Sequence, residues 1–464
     1  MKRITYLSIF FTALLFSTEA FCDSDLSSRS WKAGVAKRII TPEGSMWMAG
    51  YAARVNPSQG TLHDLWAKAL ALEDADGNQA LLICTEILGY NKILSDQICE
   101  RLELNYGLSR DRIILNSTHT HSGPVLKDAL YDIYPLEEKH IADIEKYTLK
   151  LADQLVALAG DALNNMKEAR IFSQNGVTRF QVNRRNNDPG NLDSQTQLEG
   201  PNDFAVPVLK IVDHQGDLMA VAFGYACHPT VLDAYQWCGD YPGFAQIELE
   251  KIYPGSTAMF FMGAGADQDP LPRHTVALAR QYGKELAAAV ERVLEEEMQE
   301  LLPSLSVSYS EIELPLNPPM SLHELHEITR DTLAHASYQI RWAERMIEER
   351  KLGKVGRTSY PYPLQVWLLG QQMLVNMGGE VVVEYANKLK EFYGKELFVM
   401  AYSNDVMAYI PSTTILEEGG YEGLVSQQVY GLPNTWKPGI ESLILKEITR
   451  LVELVGAVKA SGLP

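Results

Sequence analysis

Two apolar runs in this sequence each end on a histidine, and that pairing restricts the architecture more than any other feature. Ile113-Ile114-Leu115 leads into Asn116-Ser117-Thr118-His119-Thr120-His121-Ser122-Gly123-Pro124, and the run from Leu218 to Tyr225 leads into Ala226-Cys227-His228-Pro229-Thr230. A short apolar run closed by a polar cluster with Gly or Pro reads as a buried strand delivering a loop. Loops at strand ends carry chemistry on a rigid support. If extended backbone continues through His119 and His121, side chains two apart point to the same side and both rings face one cavity. An isolated His-x-His fits two readings, a metal site with one ring as ligand or a pair of hydrogen-bonded loop histidines.

The rest of the chain supplies more strand ends. Alternation over 31–40, apolar runs over 65–72 and 80–84 around the turn Asp74-Ala75-Asp76-Gly77, and a helix over 95–106 capped by Ser95 and stopped by Gly107 precede the first histidine strand. A long amphipathic helix is predicted over 137–166, strands over 205–212 and 257–262, and helices over 240–252 and 273–298. Residues 180–201 form a polar loop too long to be only a connector, and Asn183-Arg184-Arg185 is its most suggestive piece. A composition shift at 300–303 suggests a boundary, after which come a strand over 304–314, a charged helix over 321–352, two strands around Gly370 within 362–377, a helix over 381–392 and a strand over 397–402. His323 and His326 lie in the order His-Glu-Leu-His, which lacks metalloprotease spacing and reads as a solvated helix face. The pattern predicts an α/β (mixed α+β) fold: large mixed sheets flanked by helices, one catalytic unit over 23–464 and a smaller C-terminal lobe from about 300.

Composition limits the partners. A formal charge of −18 argues against nucleic acid and anionic membrane surfaces. Met1-Lys2-Arg3, an apolar run over 4–16 and Ser17-Thr18-Glu19-Ala20 predict a signal peptide over 1–22 and a periplasmic or secreted protein. No later stretch is apolar for long enough to span a bilayer. Cys22 lacks the small residue that precedes a lipidated cysteine. Of the other four cysteines, Cys227 and Cys238 are close enough in sequence to pair, but free buried thiols fit equally well.

Two histidines after apolar strands, joined by Gly378-Gly379-Glu380 at a third strand end, supply two imidazoles and a carboxylate, the usual protein ligands of a catalytic zinc. From about Ala33 to Gly423 the sequence resembles the neutral, non-lysosomal ceramidase family in its amino-terminal catalytic domain. The resemblance rests on the run at 116–124, on Met48-Ala49-Gly50-Tyr51, on Ala226-Cys227-His228-Pro229-Thr230, on Gly379-Glu380, and on Tyr409 followed twelve positions on by Tyr421-Glu422-Gly423. It implies that His119, His228, Glu380 and Tyr409 hold one Zn2+, and that His121, Arg184 and Tyr421 line the site and contact the scissile amide or its oxyanion. Where the family has Gly-Asp-x-Ser-Pro, this chain has Ala266-Asp267-Gln268-Asp269-Pro270, so Asp269 replaces a serine important for cleavage and attack by a zinc-activated water is the expected mechanism. The sequence ends soon after the region of resemblance, and the polar 181–201 loop suits a hydrophilic small-molecule, lipid or glycoconjugate substrate. The expectation is an amidase of ceramidase type. A glycan- or ester-directed hydrolase or lyase on the same metal site, and an inactive binding protein, are its alternatives.

Overall fold

The computed structural model describes residues 30–457 except 191, 193, 194 and 196. The expected signal peptide and Cys22 lie outside the described residues. The larger sheet has nine strands. Its order runs Thr257–Met262, Leu218–Tyr225, Ala205–Asp213, Lys167–Val177, Trp31–Ile39, Trp66–Glu73, Gln79–Thr85 and Ile113–Ser117, with Gln299–Glu300 also beside Lys167–Val177. The pairs at its two ends are parallel and those between are antiparallel. A second sheet of four strands follows, in the order Leu305–Pro315, Ser359–Leu369, Gln372–Met377 and Phe398–Met400. The composition shift near 300 therefore falls where the chain passes from one sheet to the other.

The two sheets share their packing. Trp31, Leu70, Ile114, Ile211 and Phe261 of the first are buried in one cluster with Leu305, Trp367, Leu374 and Phe398 of the second. On the other faces, helices Glu138–Asn164, Asp240–Ile252, Val276–Glu295 and Ile440–Leu454 bury their apolar sides. The large mixed sheets flanked by helices predicted from the sequence are present.

What positions the site is a lacing of three strand ends. Just past Phe398–Met400, the Ala401 N–H donates to the Met262 carbonyl at 2.9 Å, while Ser117 N–H donates to Tyr402 O at 3.1 Å and Asn404 N–H to Leu115 O at 2.7 Å. The segment thus joins both edge strands of the larger sheet. Asn116 locks it: its Nδ2 donates to Ala401 O and Ser403 Oγ, and its Oδ1 accepts from Met262 N. Left-handed backbone at Tyr402 (φ 53°) and Asn404 (φ 67°) makes this crossing tight.

Several boundaries differ from expectation. The helix expected from Ser95 starts at Lys92, because the Asn91 side chain accepts from Leu94 N–H and caps it earlier; Gly107 closes it in a left-handed conformation (φ 71°) as expected. The charged helix over 321–352 is two helices, Leu322–Arg330 and Ser337–Lys351, and His323 and His326 are exposed on the first. The polar loop over 180–201 is not all loop: Gln181–Asn183 pairs antiparallel with Gln268–Pro270. Three residues are too few to show an alternation that a sequence reading can detect. Cys227 and Cys238 are buried free thiols, as are Cys84 and Cys99.

Candidate metal centre

The first histidine strand ends at Ser117, and His119 then adopts φ 63°. Extended backbone therefore does not continue through His119-Thr120-His121, and the period-two argument for their common direction fails. The left-handed turn, held by His119 N–H on the Ile87 carbonyl at 3.0 Å, aims both rings inward instead. Gly50 (φ 111°) gives the second ring its space, since a Cβ there would lie 2.4 Å from His121 Nδ1. The His228 loop is fixed by His228 N–H on Gln268 O at 2.8 Å. Glu380 and Tyr409 lie side by side in a two-stranded parallel ladder.

These elements converge on one point. His119 Nε2 lies 3.1 Å from His228 Nε2 and 3.3 Å from His121 Nε2. Glu380 Oε2 lies 3.2 Å from the Nε2 atoms of both His119 and His228. His119 Nδ1 sits 2.6 Å from the Leu88 carbonyl and His228 Nδ1 sits 3.2 Å from the Gly265 carbonyl. A carbonyl only accepts, so each Nδ1 carries a proton, and it is the neutral form of each ring that turns a bare Nε2 to the centre. Glu380 Oε1 accepts a short hydrogen bond from Tyr430 OH, while Oε2 has no hydrogen-bond donor among the described residues.

Lone pairs from two or three nitrogens and a carboxylate oxygen thus meet within a few ångströms, with His119, His228 and Glu380 nearly removed from water. One proton can relieve only one such contact, whereas a cation relieves all of them. Burial and the neighbouring rings push the His121 imidazole well below its ordinary value, and burial lowers that of His228. Burial opposes ionisation of Glu380, and only positive charge at the centre, on the rings or on a bound cation, outweighs it and holds the carboxyl well below the usual range. Neutral imidazoles and an ionised carboxylate are the protonation states that metal ligands need. His119, His121 and His228 alone form a group able to hold an ion, so His121, expected only to line the site, is also within reach of it.

The remaining expected residues sort by position. Tyr409 is buried beside the centre, its ring parallel to that of His228 at 6.4 Å. Its hydroxyl accepts from Arg184 Nη2 at 3.3 Å. Arg184 also donates from Nε to Glu422 at 2.8 Å and from Nη1 to Asp269 at 3.2 Å, so much of its fork is already engaged. Asp269 lies between Arg184 and Arg273; burial raises its carboxyl, but these guanidiniums bring it below the ordinary value. Tyr421 stands at the mouth, 43% exposed, with its ring 5.4 Å from that of Tyr409. Asp267 does not line the cavity. Its Oδ1 accepts from Val383 N–H at 2.9 Å and its Oδ2 from Asn183 Nδ2 at 3.0 Å, so it braces the loop that carries Gly265.

An open cleft of about 620 Å³ leads to the centre past Tyr51, His121, Arg184, Asp269, Arg273 and Tyr421. Sequence reasoning missed Tyr430 on Glu380 and Tyr402, whose ring lies 4.3 Å from that of His119. Neither sits in a motif. Arg273 was recoverable only from its spacing of four from Asp269, and Glu422 only as the neighbour of Tyr421.

A mixed α/β fold that gathers histidines and a carboxylate at its strand ends defines a class of protein able to hold a cation at one point. The sequence model for the neutral/alkaline non-lysosomal ceramidase family, N-terminal, matches residues 31–267, and the chain belongs to that family. The match stops at Asp267, so Asp269, Glu380, Tyr409 and Tyr421 rest on geometry. A neutral ceramidase of Drosophila pseudoobscura pseudoobscura is 28% identical over 245 residues, covering 49% of this chain and 33% of that protein. One from Pseudomonas aeruginosa is 25% identical over 232 residues, covering 47% and 34%. The matched stretch spans about a third of these relatives. The crystal structure of the Pseudomonas aeruginosa neutral ceramidase superposes with a TM-score of 0.68 at 18% identity, covering 94% of this chain and 76% of that one, and so shares the fold.

Proposed function

We propose that this chain is a secreted zinc-dependent hydrolase that cleaves a linear N-acyl amide bond. The observation that carries the reading is the meeting of bare His119 and His228 Nε2 atoms with a donor-free Glu380 oxygen at 3.1–3.2 Å. His119, His228, Glu380 and Tyr409 would hold the ion. When bound, zinc supplies a Lewis acid for the substrate carbonyl and brings the pKa of a water toward ~7.

The other side chains have separate tasks. His121, packed against the Tyr51 ring at 4.8 Å, and the partly exposed Tyr421 donate hydrogen bonds to the developing oxyanion. Asp269 is ionised between two arginines, so it cannot give the leaving amine its proton; it orients Arg184 instead. Asp267 keeps the loop under His228 in place. The cleft wall carries Arg184, Arg185, Arg273, Asp269 and Glu422, which favours substrates with a hydrophilic group near the scissile amide.

Assay of N-acyl amides with hydrophilic head groups, beside esters and uronic-acid oligosaccharides, tests this reading. Turnover of the amides, abolished by chelation and restored by Zn2+, is expected. Turnover that survives chelation, or is confined to esters or glycans, would overturn it, as would tight binding of every compound without chemistry.

A further inference from the structure

Behind the metal centre lies a second cavity that shares no lining residue with the cleft. Its volume is about 110 Å³, and its walls include Leu88, Leu126, Leu130, Val406, Met407 and Leu432. Gly89 lets the wall close, since a Cβ there would lie 2.6 Å from Val406. Tyr360 and Tyr430 line both this cavity and an outer groove of about 870 Å³, so it can be reached from solvent.

One buried carboxylate lines this largely apolar space. Asp405 is 2% exposed. Its Oδ2 accepts from Tyr360 OH at 2.8 Å, while Oδ1 has no hydrogen-bond partner among the described residues. Lys92, the nearby cation, is engaged by Asp96 and Glu311. Asp128, the other acid of the lining, is exposed at the rim. A buried carboxylate oxygen without a donor is costly, so an occupant that brings one is favoured, and a charged donor is favoured over a neutral one. The volume is below the ~150 Å³ that accommodates benzene in an engineered apolar cavity.

We propose that this cavity binds a small primary alkylamine, with its ammonium group on Asp405 and its chain against the leucine and methionine wall. The proposal does not rest on the zinc reading: none of these residues is a metal ligand, and Leu88 and Tyr430 touch His119 and Glu380 with or without an ion.

Met407 places a reporter in the wall. The test is titration of the full chain with butylamine at pH 8, where Asp405 has given up its proton and the amine keeps its own, observed by NMR of ¹³C-labelled methionine methyl groups, with the Met407 signal assigned through Met407→Leu. A saturable shift of that signal is expected, with a dissociation constant of about 1 mM or tighter. Binding should weaken about tenfold or more for 1-butanol and for Asp405→Asn, which keeps an acceptor for Tyr360. Ala129→Leu, which fills the cavity without touching Asp405, should also lose it. A Met407 signal that never moves would mean water only and would overturn the proposal. Equal binding of 1-butanol, or of butylamine to Asp405→Asn, would do the same.

Discussion

Tyr430 touches the centre through one bond, its hydroxyl on Glu380 Oε1. Tyr430→Phe removes that bond and leaves the ring. Loss of such an outer partner typically costs 10–100-fold in metal affinity, so competition with a chromophoric chelator should show a drop of about that size with the fold unchanged. Unaltered affinity would mean that Glu380 needs no such support. Asp405 makes a different prediction. Burial raises its carboxyl from 3.8 to about 7, so the folded state binds this proton more tightly than the unfolded chain. Stability from this group is present at low pH and lost as pH rises from near 4 to near 7. Asp405→Asn mimics the protonated form, so its stability relative to wild type should grow by on the order of 2–4 kcal/mol over that range in urea unfolding at several pH values. A pH-independent difference would contradict the assignment. At this scale the sequence was informative where chemistry follows a strand. His119, His228 and Glu380 were legible because each stands at or near a strand end in a recognisable run, whereas Tyr409 came from the family resemblance and its spacing from Tyr421. Tyr402 and Tyr430 were not, because a tyrosine in an ordinary stretch carries no signal of where its ring or hydroxyl goes.

The elements that matter are the laced strand ends. The Asn116 side chain uses both its N–H groups and its oxygen to tie three segments together. Asn116→Ala strands Met262 N–H in a dry interior, while Ala401 O keeps its bond from Ser403 Oγ, and should cost about 2 kcal/mol by denaturant unfolding. A cost below about 1 kcal/mol would show that the segments hold together without it. Gly50 predicts a separation of function: Gly50→Ala drives a methyl group into the His121 ring from a backbone at φ 111°. Amidase activity should fall on the order of 10²-fold while bound metal is retained. Loss of metal with activity would place His121 among the essential ligands. Long elements were readable because periodicity accumulates with length, as in Glu138–Asn164 and Leu305–Pro315. Gln181–Asn183 and Gln268–Pro270 escaped because a three-residue pair is made by its partner, not by its own pattern. The break between Arg330 and Ser337 escaped because the segment contains neither Gly nor Pro.

The whole molecule behaves as one body on its packing. Buried residues from 31 to 400 share one cluster and those from 180 to 455 another, so both sheets contribute to shared cores, while a further cluster packs helices Lys92–Tyr106 and Glu138–Asn164 on the first sheet alone. We propose that the boundary near 300 is a change of sheet within one folding unit. Calorimetry should then show a single cooperative transition, and two resolved transitions would indicate independent lobes. Everything proposed about chemistry depends on a cation joining segments more than 250 residues apart in sequence, from His119 to Glu380. The most direct measurement is metal stoichiometry of the purified chain beside His119→Ala and His228→Ala. About one zinc per wild-type chain, and almost none in either variant, is the predicted result; a metal-free wild type with full amidase activity would contradict it.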